Sequence, residues 1–206
     1  MSNDFTNLGR SYQIAGAVDR VMRVATDGSQ VSQDRYAELA ERGLVFHFSR
    51  AAVTVPVNAS NLVSVFAVVN PASSGKMLEL IEAEAHAVVA TTVVSALGLY
   101  AGPVSGATLT TPVSGGILSS RLGEGVPSVC TAYSALTHSG TPVLADILGG
   151  WGAVTDGGST PIYKGFKGRI QVPPGNVVHL AMTTAASTGS GISALLRWAE
   201  LPYQNM

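Results

Sequence analysis

Apolar and polar positions follow a helical period over one stretch of this chain and a strand period over most of the rest. Val31 to Arg42 is the helical stretch. Tyr36, Leu39 and Ala40 repeat at i, i+3, i+4, and Asp34, Arg35, Glu38, Glu41 and Arg42 form a charged opposite face. Ser29 or Ser32 can cap its start, and Gly43 stands where a helix stops. Beyond Gly43 the period falls to two. Leu44 to Phe48, Ala52 to Val57, Leu62 to Val69, Met77 to Ala85, Ala87 to Ser95 and the region of Leu99 read as strands. The run Leu62 to Val69 is apolar at every other step and in between, the pattern of a strand covered on both faces. Asn70 to Gly75 is a turn.

Gly102 to Ser159 is rich in Gly, Pro, Ser and Thr. It predicts long superficial loops with short strands at Gly116 to Ser120, Ser128 to Ser134 and Pro142 to Ile147. Towards the C-terminus, Lys167 to Val172 reads as a strand. Pro173-Pro174-Gly175-Asn176 is a turn, because proline fixes φ and glycine accepts a positive one. Val177 to Met182 follows, with Val178, Leu180 and Met182 on one face and Val177, His179 and Ala181 on the other. After a small-residue loop, Thr183 to Gly191, the last strand is Ile192 to Glu200. It places Ile192, Ala194, Leu196 and Trp198 on one face and Ser193, Leu195, Arg197 and Ala199 on the other. Many short strands with a single helix exclude a doubly wound α/β fold. The expected fold is all-β, a jelly-roll-like antiparallel β-sandwich spanning residues 29–206, with one short helix. Residues 1–28 show no sustained period and form an N-terminal arm or lead-in.

Composition sharpens this picture. Of the 206 residues only 12% are charged, about half the usual share, while 46% are hydrophobic. So few charges leave little to solvate a monomer's surface, and much of that surface is expected to lie against other subunits. A homotrimer with a large interface of small apolar residues is the expected state. Net charge is −1 and no basic stripe occurs, which argues against direct nucleic-acid binding. Ala85 to Ser120 contains no Asp, Glu, Lys or Arg, but Gly98, Gly102, Pro103, Gly106 and Pro112 interrupt it. It therefore reads as buried strands and not as a membrane span. Met1 to Arg10 is polar, and no signal peptide is expected there. Cys130 is the lone cysteine, so a disulfide within the chain and a cysteine-based metal site are both excluded.

Catalytic spacings are absent. His47, His86, His138 and His179 are far apart in the chain, and no HExxH, GxSxG or phosphate-loop pattern occurs. No enzyme activity, metal or cofactor is expected. Glu79, Glu82 and Glu84 are the densest acidic group. On a regular strand Glu82 and Glu84 share one face and Glu79 takes the other, and a solvated edge is the plain reading. Trp198 alternates with core positions and is expected to be buried. His179 shares a face with Val177 and Ala181, and a hydrogen-bonded interior or interface histidine is expected. Trp151 stands in a run of glycines that reads as a loop. With Asp156 and Tyr163 it forms the one candidate ligand or interface cluster close in sequence. In the arm, Phe5, Leu8 and Tyr12 alternate with Arg10, and Arg20 and Arg23 follow. That mixture can bury area on a docking partner and pair with its acidic groups.

The C-terminal run KGRIQVPPGNVVHLAMTTAASTGSGISALLRWAELP is similar to a group of tailed-bacteriophage virion proteins with a jelly-roll or TNF-like β-sandwich. That group finishes with a strand, a PPG turn, a strand, a small-residue loop, and a strand ending in W-x-E. The matching positions are Val172-Pro173-Pro174-Gly175, Val178 to Met182, and Trp198-Ala199-Glu200. Val68-Val69-Asn70-Pro71 to Gly75-Lys76, followed by Leu78 and Leu80, resembles the group's NPxGSG-(K/R)-x-L segment, with Ser73 where that segment has its first glycine. The resemblance covers about a quarter of the chain and leaves out the helix and the long middle. It implies a virion structural protein that decorates or cements a phage capsid, with the major capsid protein or other virion proteins as partners. A tail, fibre or lectin-like module recognising host glycan is the alternative. The resemblance carries no catalytic residues.

Overall fold

The computed structural model describes residues 34–54, 64–88, 95–113, 115–121, 127–138, 142–151, 161–183 and 191–203, and the backbone of 23–24 and 30–31. Two short strands, β1 (Arg23–Val24) and β2 (Gln30–Val31), pair antiparallel ahead of the helix α1 (Arg35–Glu41). Then come β3 (Val45–Thr54), β4 (Ser64–Asn70), β5 (Lys76–Ala87) and β6 (Ser95–Pro103). A single 3₁₀ turn, Val104–Gly106, leads to β7 (Ala107–Leu109), β8 (Ile117–Ser119), β9 (Thr131–Tyr133) and β10 (Leu136–His138). The chain finishes with β11 (Val143–Trp151), β12 (Ile162–Gly165), β13 (Gln171–Val172), β14 (Asn176–Met182) and β15 (Gly191–Pro202).

Most of the described strands form two large sheets, and β1–β2 and β7–β10 are separate two-stranded pairs. The first runs β12-β5-β15-β3-β8, with β13 also on β5, and the second runs β11-β6-β14-β4-β9. Every pairing is antiparallel. Among the long strands, β3, β5, β12 and β15 fall in one sheet and β4, β6, β11 and β14 in the other. Chain order thus crosses between sheets in the interleaved manner of a jelly roll, which buries strand after strand without leaving neighbours in sequence as neighbours in a sheet. The chain is an all-β sandwich of this kind.

Inner faces meet as the period-two reading requires. Phe46, Phe48, Leu78, Leu80, Leu196 and Trp198 of the first sheet pack with Phe66, Val68, Leu97, Leu99, Val178 and Leu180 of the second. Phe48 and Phe66 meet edge to face across the sheets at 5.0 Å. Trp198 is fully buried, as its strand alternation predicts.

Several expectations are corrected. The helix begins at Arg35 and not Val31, because Asp34, not Ser29 or Ser32, is its cap: the Asp34 carboxylate accepts from the Tyr36 amide at 2.8 Å. Val31 is left to the β1–β2 pair. Val45–Phe48 and the start of the following segment are one continuous strand, β3, with Leu44 just before it. The strand from Met77 continues to Ala87, the next described strand starts at Ser95, and most of the expected Ala87–Ser95 strand lies outside the described residues. Lys167 to Val172 is mostly turn. Lys167 and Gly168 take φ of 51° and 73°, and the Arg169 side chain donates to the carbonyls of Phe166 and Gly165, which leaves only Gln171–Val172 to pair. The strand of that region is instead Ile162–Gly165. The middle of the chain is less loop than its composition predicts: β7, β10 and the nine-residue β11 lie within it.

Candidate interaction surfaces

The outer faces of the two sheets are the surfaces that sequence and fold leave for function. On the first sheet, α1 covers one end. Leu39 packs onto Val45, Ile81 and Ala199, and Arg35 pairs with the buried carboxylate of Glu79 at 3.0 Å. A bulge in β5 extends this face. Arg197 is opposite Glu82 while Trp198 is opposite Leu80, so Ile81 is the extra residue. The bulge resets the alternation: Leu78 and Leu80, then Ala83 and Ala85, point into the core, whereas Ile81 faces α1. Glu79 is therefore not opposed to Glu82 and Glu84, as a regular strand would have it, but lies on their side of the sheet. None of the three is a bare carboxylate.

Beyond the helix this face is polar. The Tyr163 hydroxyl donates to Glu82 at 2.8 Å, and Arg197 pairs with the other oxygen of Glu82. Glu84 sits 3.0 Å from His86. His47, opposite Arg197, is held below the ordinary histidine range by burial and by the Arg197 charge. Tyr163 is 64% exposed, and hydrogen bonding to the Glu82 carboxylate raises its hydroxyl above the usual range. Among the described residues no three His, Cys, Asp or Glu side chains converge as metal ligands.

The second sheet differs. Its outer face is covered by the two-stranded pair β7–β10, whose Leu136 seats on Ala67, Val69 and Val177 with Val104, Ala107 and Leu109 around it. Beside this flap, edge strand β11 leaves Val143, Leu144 and Ile147 exposed at 68%, 42% and 55%. Asp146 on the same strand pairs with Lys164 of β12 at 3.2 Å, and the two bulges of β11 break its regular edge.

Of the cluster read from sequence, Trp151 and Tyr163 do not come together. Trp151 closes β11, not a loop, and is buried in the core between the sheets. Tyr163 points out of the first sheet, because its neighbour Ile162 points in. Asp156 lies outside the described residues, as do the arm residues Phe5, Leu8, Arg10, Tyr12 and Arg20, and Arg23 is placed by backbone alone in β1. His179 is interior, as read, but among the described residues neither ring nitrogen has a hydrogen-bond partner.

Sequence reading missed that its two turn motifs are one structure. The buried Asn70 amide donates to the Lys76 carbonyl at 2.8 Å and to the Val172 carbonyl at 3.0 Å. Gly175, with φ of 80°, donates its amide to the Asn70 carbonyl at 2.9 Å. The terminal W-x-E run is a second clamp. Glu200 is buried and accepts from the Trp198 indole at 3.3 Å, from the Val129 amide at 3.2 Å and from the Ser128 hydroxyl. A buried carboxylate with this many donors is a fixed joint between β15 and the segment before β9. Cys130 beside it is buried, and its thiol is pushed far above the usual range by burial and by Glu200.

Comparison with protein-family models, with curated proteins and with solved structures finds no match. The fold defines the class, an antiparallel jelly-roll sandwich, and function rests on the surfaces just described. Among the described residues no helix is long and apolar enough to cross a membrane, which leaves strand-built membrane proteins untouched.

Proposed function

We propose that this chain is a structural protein of a phage virion, which decorates or cements the capsid through contacts between β-sandwich subunits. The observation that carries the reading is the second sheet: its edge strand β11 offers Val143, Leu144 and Ile147 to solvent, on a chain with only 12% charged residues. Exposed apolar side chains grouped on one strand suit a covered surface better than a solvated one. The PPG turn and W-x-E finish support the same reading, since both are joints that stiffen the sandwich. The proposed assembly is a homotrimer, with the major capsid protein or another virion protein as the surface it holds and the arm, residues 1–28, as the anchor. A receptor-binding tail or fibre module is the second reading, favoured by the exposed Tyr163 beside Glu82 on the first sheet.

Counting copies in purified particles separates the two. Copies in proportion to the major capsid protein support decoration, and a few copies at one vertex support the tail. Deleting residues 2–24 tests the anchor. A truncated protein that stays folded and oligomeric but no longer binds particles is the expected result. Normal decoration by the truncated protein overturns the anchor.

A further inference from the structure

The flap β7–β10 is held down by an unusual contact. His138, the last residue of β10, stacks on His179 of β14 with ring centres 5.4 Å apart and planes at 28°. Tyr100 of β6 also stacks on His179, at 5.5 Å and 22°. The two histidines are buried, and Gly102 leaves the space that the His138 ring fills: a Cβ there would come within 2.9 Å of it. The contact therefore lies at the interface between a two-stranded flap and the sheet beneath.

We propose that the His138–His179 stack is an acid-sensitive latch: neutral rings hold the flap on the second sheet, and protonation of either ring releases it.

Among the described residues no carboxylate faces either ring. Facing His179 are Ala67 of β4, Tyr100 of β6 and His138 of β10, and on its own strand Val177 and Ala181 share its face. Around His138 are Gly102, Ala107 opposite it on β7, and the Gly106 backbone. The tyrosine is neutral at these pH values, and the Gly106 backbone favours the charged form of His138 by less than burial opposes it. Among β4, β6, β7, β9, β10, β11 and β14 the single Asp, Glu, Lys or Arg is Asp146, which is committed to Lys164. Among the described residues, an imidazolium formed here is thus buried without a counter-ion and stacked on a second histidine.

The sign follows. Burial, then the neighbouring His138, lowers His179 to about 3, and burial lowers His138 too. With the flap open both rings return to the ordinary value of about 6.5. The open state therefore binds protons more tightly than the closed one. Closure is fully stable above about 6.5 and weakens continuously as pH falls towards the closed-state value. The opening constant rises about tenfold per pH unit for one histidine, and more steeply where both titrate. Opening uncovers Ala67, Val69 and Val177, an apolar strip that the closed flap keeps from water.

Hydrogen exchange on the whole protein tests this, read by mass spectrometry on peptides covering β7 and β10 between about pH 7.5 and about pH 4.5. Protection factors in those two strands are expected to fall about tenfold per unit below about pH 6.5, while β5 and β15 of the first sheet keep theirs. His138→Phe and His179→Phe keep a stacked ring and remove the proton site. Each is expected to flatten the slope, and the double variant to abolish it. Equal loss of protection in both sheets, or no pH dependence in β7 and β10, overturns the latch. The wild-type measurement stands even if a variant fails to fold.

Discussion

The two outer faces of this sandwich solve the same problem in opposite ways. A β-sheet whose inner side is in the core must either present polar groups to water on its other side or be covered. The first sheet takes the polar route beyond α1: Glu82, Glu84, His86, Arg197 and Tyr163 are joined to one another. The second sheet carries Ala67, Val69, Val177 and His179 on its outer side and hides them beneath β7–β10. A face that pairs its charges tolerates solvent and loss of any one partner. A face without charges depends on its cover, and it fails at the few residues that seat that cover.

The sharpest test of the sandwich as a whole is at its centre. Trp198→Ala removes a fully buried indole from between the sheets and is expected to cost about 3–5 kcal/mol, measured by denaturant unfolding. A smaller loss would place less of the core's stability in this layer than the packing indicates. Next is the cover. Leu136 of the flap is buried against the sheet, and Leu136→Ala is expected to cost about 2–5 kcal/mol, with exposure of apolar surface to a hydrophobic dye. Smallest is the polar face. Tyr163→Phe removes one exposed hydrogen bond to Glu82 and is expected to change stability by about 1 kcal/mol or less. If Tyr163→Phe proved as damaging as Leu136→Ala, the contrast between the two faces would be wrong.

Much of the fold was legible because strands announce themselves locally. Val178, Leu180 and Met182, and Ile192, Ala194, Leu196 and Trp198, all fall in the inner core as their alternation requires. Ser64–Asn70, buried at every position, is covered on both faces, as its unbroken apolar run implies. Legibility failed where geometry is set by a neighbour. Glu79 changed face because of a bulge opposite Arg197 and Trp198, and no pattern within β5 marks it. Trp151 looked like a loop residue among glycines, but pairing with Ser95 makes Gly149, Gly150 and Trp151 a strand. The surface candidates were the least legible, since Trp151 and Tyr163 are separated by the sheet that Ile162 anchors.

The sequence by itself determined the all-β class, the inner face of the C-terminal strands, the turn at Gly175 and the burial of Trp198. Each of these follows from side-chain period or from a local backbone preference, which act within a few residues. Only the tertiary structure decided which strands are neighbours, which sheet face is covered and by what, and that His138 meets His179. His138 and His179 are 41 positions apart, and the Asn70–Val172 bond joins residues 102 apart. The formation of such contacts depends on the closing of long loops around a shared core, a property of the whole chain that no local window contains.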